Sequence, residues 1–175
     1  MVDERGHLKL TDFGLCKINF SKEDLTSSFV GSPEYMSPEI LSGDHYGYSV
    51  DYYTLGVLFY EMIVGLPPHY SENKIQMYQD IRKKPAKVPA TFGEDVRDLI
   101  ENLLKIDPSE RLGFRGGIQE IKNHAFFKEI DWTALRNRQT QSFMRRLPIQ
   151  VEINCSNFDI QYTELPIEID LIAEK

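Results

Sequence analysis

Residues Val50 to Val64 carry apolar side chains nearly all the way round a helical wheel: Val50, Tyr52, Tyr53, Leu55, Val57, Leu58, Phe59, Tyr60, Met62, Ile63 and Val64. Such a helix belongs at the centre of a helical domain, because none of its faces gains by meeting water. Gly65 and the Pro67-Pro68 pair end it. A chain of 175 residues has room for one core of this kind with a long tail.

Other segments pack round that helix. Asp95 to Lys105 places Val96, Leu99, Ile100, Leu103 and Leu104 on one helical face, and Thr91 to Glu94 ahead of it fits a capping box. Asn73 to Lys83 predicts a surface helix with Met77, Tyr78 and Ile81 turned inward. Gly113 to Gly117 predicts a turn before a short helix over Ile118 to Asn123, and Trp132 to Met144 a further turn or two of helix. His7 to Thr11 alternates apolar and polar residues and predicts a short strand. From Gly14 to Pro38 no period is sustained; a loop that long in a compact domain is often functional. From Pro148 onward isolated apolar residues without a period predict a tail laid over a surface. The fold class is therefore mainly α.

Composition excludes several roles. Lys and Arg number 20 against 27 Asp and Glu, a net charge of −7, which does not suit a general nucleic-acid binder. The longest stretch free of Asp, Glu, Lys and Arg runs only from Met62 to Ser71, too short for a membrane span. Cys16 and Cys155 make neither a metal pair nor a disulfide framework, which suits a reducing compartment.

Four motifs follow in order: Asp12-Phe-Gly14 after the predicted strand, Gly31-Ser-Pro-Glu-Tyr-Met-Ser-Pro-Glu39, Asp51-Tyr-Tyr-Thr-Leu-Gly56 opening the apolar helix, and Asp107-Pro-Ser-Glu-Arg111-Leu-Gly113. Together they resemble the C-terminal lobe of a eukaryotic protein kinase, over about His7 to Phe127. Asn157-Phe-Asp-Ile-Gln-Tyr-Thr163 looks like the tail of the AGC group. Leu15-Cys-Lys17 and Leu66-Pro-Pro-His-Tyr-Ser71 are similar to the Akt and serum/glucocorticoid-regulated kinases. The resemblance implies a kinase domain portion over residues 1–127, with a short β-hairpin remnant, and an irregular AGC tail over 128–175. It also implies a Ser/Thr kinase that uses ATP and Mg²⁺ on protein substrates, directed by basic residues.

It assigns roles residue by residue. Asp12 matches the carboxylate that holds Mg²⁺ on the nucleotide phosphates, and Phe13 a packing residue. Ser28 matches the activation-loop site of an upstream kinase, in preference to its neighbours Thr26 and Ser27, and Lys17 matches one partner of its phosphate. Ser32 and Glu61 match substrate-binding positions; Glu61 could instead sit at the helix edge in water. Glu39 and Arg111 match a buried structural pair. Asp51 matches a carboxylate that accepts from catalytic-loop amides; without that loop it is a helix-start carboxylate set favourably against the dipole. Phe158 matches the tail aromatic that closes over adenine, or is a docking anchor. Tyr53 replaces Trp, and Ser37 replaces Ala, both mild departures.

The sequence holds no glycine-rich loop, phosphate lysine, catalytic-loop Asp or second metal ligand, so the general base is not among its residues. The first expectation is part of an AGC-type kinase, inactive alone and working in intracellular signalling. The alternative is a non-catalytic binding module that competes for substrates or upstream kinases. Either is expected in the cytoplasm, with the nucleus open to it as well.

Overall fold

The computed structural model describes residues 1–3 and 5–140. Six α-helices occur among them: α1 (Pro38–Ser42), α2 (Ser49–Val64), α3 (Lys74–Lys83), α4 (Glu94–Leu103), α5 (Ile118–Lys122) and α6 (Trp132–Arg136). The chain divides into two units, Met1–Thr11 with Asn137–Lys175, and Asp12–Arg136. The described residues are mainly helical, as the periodicities predict, and no strand forms among them. The predicted strand at His7 to Thr11 is replaced by one antiparallel bridge between Val2 and Leu8. Met1–Lys9 doubles back through Asp3 N–H to His7 O at 2.9 Å and Lys9 N–H to Met1 O at 2.8 Å. One bridge without a third chain beside it does not make a sheet.

In the larger unit, α2 packs on α4, and α1 on α3. Val57 and Leu103 are completely buried, and Met77, Ile81, Leu99 and Ile100 nearly so. The amphipathic stripe of α4 thus meets the centre of α2. The two helices pack tightly at Gly56, where an added Cβ would stand 2.8 Å from Leu103 Cβ. Asn73 caps α3 by accepting from the amides of Ile75 (3.1 Å) and Gln76 (3.2 Å). The capping box at α4 does not form. Gly93 is the cap residue and no side chain serves it, because Thr91 is taken into a turn closed by Phe92 N–H to Pro89 O at 3.2 Å.

The helix α2 ends as expected, with Gly65 at φ 89 donating to Glu61 O at 2.8 Å. Its burial is one-sided, contrary to the expectation of an all-round core helix. Asp51, Thr54, Leu58 and Met62, spaced three or four apart, form an open stripe, with Leu58 45% and Met62 63% exposed. Helical periodicity shows which faces are apolar; it does not show whether the described elements cover them.

Substituting Gly56→Ala tests the α2–α4 contact. The helix-propensity gain of about 1 kcal/mol is outweighed by overpacking of about 2–3 kcal/mol. A Tm lowered by roughly 5 °C is expected, and an unchanged or raised Tm would show that the helices move apart freely.

Candidate functional site

Residues Asp12 to Ser37 run as irregular backbone past the start of α2, with a single turn of 3₁₀-helix at Pro33–Tyr35. Its far end is fixed by charge. Arg111, 2% exposed, donates to both carboxylate oxygens of Glu39 at 2.8 and 3.0 Å. The same guanidinium donates to Ser49 O at 2.9 Å and Lys105 O at 3.2 Å, and lies 5.1 Å from the centre of the Tyr53 ring. The Tyr53 phenol is held well above its ordinary range, mainly by burial, with Arg111 opposing.

Nearer the start of the segment, Lys17 Nζ donates to Ser28 Oγ at 3.0 Å, and Thr26 Oγ1 stands 3.4 Å from the same oxygen. Ser28 is half-buried; Ser27 is exposed. Thr26 and Tyr46 pair through both backbone bonds, at 2.9 and 2.8 Å, and Tyr46 donates its hydroxyl to Ser28 O at 2.6 Å. Asp12, Lys17, Ser32 and Asp51 line one cavity of about 580 Å³ with Tyr35 and Thr54. Ser32 and Asp51 are exposed, and partial desolvation at the helix start raises the Asp51 carboxyl. Glu61 is reached by the Tyr35 hydroxyl at 2.5 Å, while Thr54 Oγ1 donates to Tyr35 O at 3.2 Å. The bond to Glu61 is the main reason the Tyr35 phenol is raised, with desolvation second. Glu61 thus has a protein partner that neither sequence-based alternative supplied. Phe158 lies outside the described residues.

The chain matches the protein kinase domain family over residues 1–127. The chain belongs to the protein kinase family. It is 47% identical to the serine/threonine-protein kinase gad8 of Schizosaccharomyces pombe over 96% of this chain and 29% of that protein. It is 43% identical to the serine/threonine-protein kinase YPK1 of Saccharomyces cerevisiae, over 96% of this chain and 25% of that protein. It is 40% identical to the serine/threonine-protein kinase Sgk1 of Xenopus tropicalis, over 95% and 40%. These relatives are AGC-group kinases. The chain spans between a quarter and two-fifths of their length.

Complete kinases of this family use ATP and Mg²⁺. The described residues of this kinase chain do not by themselves fit the metal. Asp12 is an exposed carboxylate at φ 61, and no three His, Cys, Asp or Glu residues cluster to hold an ion among the described residues. Mg²⁺ asks for near-octahedral oxygen ligands, of which Asp12 supplies one. Phe13, expected to pack, is 61% exposed. No described helix is long and apolar enough to cross a membrane.

Ser37 is less mild than its sequence suggests. It is fully buried, and its hydroxyl has no hydrogen-bond partner among the described residues. Removing an unmatched buried hydroxyl is favourable, whereas removing one member of a buried ion pair is not. Ser37→Ala is therefore expected to stabilise the chain by about 1 kcal/mol and Arg111→Ala to destabilise it by about 3–5 kcal/mol. Urea denaturation of the two variants side by side checks both signs; equal midpoints would contradict the burial of both groups.

Proposed function

We propose that this chain is the substrate-facing and phosphate-regulated part of an AGC-type protein serine/threonine kinase. The complete enzyme transfers the γ-phosphate of ATP to Ser or Thr of basic-residue-directed protein substrates in intracellular signalling. The Lys17–Ser28 contact carries this proposal: a hydroxyl on a long loop rests against an ammonium that would pair with a phosphate placed there. An upstream kinase acting at Ser28 is the implied partner. The anchored end supports the same view, since Glu39 and Arg111 fix the backbone that leads to Ser32 and Tyr35. Glu61, its carboxylate already aligned by Tyr35, is suited to accept from an arginine of a peptide. Asp12 is proposed as the Mg²⁺ ligand in the complete enzyme, and Phe158, in the tail over residues 128–175, as the aromatic nearest adenine.

The chain alone lacks a general base and a phosphate lysine, so docking and turnover separate cleanly. A fluorescent peptide carrying arginines upstream of a serine is expected to bind the chain, with Glu61→Gln weakening it about tenfold. The same mixture with Mg²⁺ and radiolabelled ATP is expected to transfer no phosphate. Turnover abolished by Asp12→Ala would overturn the assignment of inactivity, and equal binding by Glu61→Gln would overturn the docking role.

A further inference from the structure

Three groups, each from a different stretch of chain, converge on Ser28. Lys17 holds its hydroxyl, Thr26 stands beside that hydroxyl, and Tyr46 donates to its carbonyl at 2.6 Å. The Thr26–Tyr46 pairing brings the Tyr46 phenol within reach by fixing the two backbones together. Tyr46 belongs to the connection between α1 and α2, which the buried Glu39 and Arg111 secure at either side through Glu39 itself and Ser49 O. The loop that carries Ser28 is thereby tied to a stationary part of the molecule.

We infer that Tyr46 is a positioning residue for Ser28: its hydroxyl clamps the Ser28 main chain so that a phosphate on Ser28 is delivered to Lys17. The inference rests on Ser28 being the phosphate acceptor and deepens that role by naming what aims it. A phosphate on an unconstrained serine of an exposed loop would sample many directions, and one ammonium in water attracts it only weakly. Fixing the carbonyl one bond from the Ser28 Cα removes most of that freedom. The Tyr46 phenol stays protonated, and so remains a donor, well past neutral pH, since desolvation first and then the charge of Asp51 raise it. The charged groups at the clamp are Lys17 on the Ser28 side and Asp51 on the Tyr46 side.

The test places phosphoserine at position 28 of the full chain during translation and follows its ³¹P resonance with pH. A free phosphoserine loses its second proton near about pH 6. Pairing with Lys17 is expected to lower that midpoint by about half a pH unit relative to the urea-unfolded chain. Lys17→Met should abolish the shift. Tyr46→Phe, which keeps the ring and removes only the donor, should lose most of it. In the unphosphorylated chain, Tyr46→Phe should also speed amide exchange of Thr26 and Tyr46 about fivefold, while core amides of α2 and α4 keep their protection. A midpoint that moves with Lys17→Met but not with Tyr46→Phe overturns the clamp alone. A midpoint indifferent to Lys17→Met overturns both the clamp and the pairing it serves.

Discussion

One guanidinium holds the geometry of the larger unit. Arg111 follows α4, Glu39 lies in α1, Ser49 opens α2 and Lys105 follows α4, and all three partners receive its hydrogen bonds. Desolvating such a pair costs several kcal/mol, so its net contribution to stability over an apolar replacement is small. Its value is positional. A planar fork that must meet two carboxylate oxygens and two carbonyls admits one arrangement of three helices. The segment from Asp12 to Ser37 is long and largely irregular, and this fixed end determines where its residues fall.

The open stripe of α2 is where that segment takes hold. Asp51 faces the cavity, Thr54 donates to Tyr35 O, and Glu61 accepts from the Tyr35 hydroxyl, all at helical spacing. This explains a carboxylate within an otherwise apolar helix: Glu61 is matched by a phenol from the segment. Gly56 and Val57, on the opposite side, meet α4. The helix thus divides its circumference between core and site, and Tyr35 reaches both through one residue.

Helices α2, α3 and α4 were legible in the sequence because their apolar spacing is local and long enough to outweigh chance. The ordered motifs pointed to the family for the same reason, each being a short stretch. What escaped depends on distant partners. His7 to Thr11 has the alternation of a strand but only one bridge to pair with. Thr91 has the side chain of a cap but sits in a turn two residues before the cap position. The bonds of Tyr35 to Glu61 and Tyr46 to Ser28 join residues 26 and 18 positions apart, and no local pattern marks them. Ser37 reads as a small change from Ala, but its hydroxyl is buried and has no hydrogen-bond partner among the described residues.

Leu58 and Met62 sit bare between the polar contacts of the same stripe. A row of aliphatic side chains on a rigid helix is what holdase chaperones grip, and what drives copies together in concentrated solution. Covering those two residues would take away the part of α2 most open to such capture.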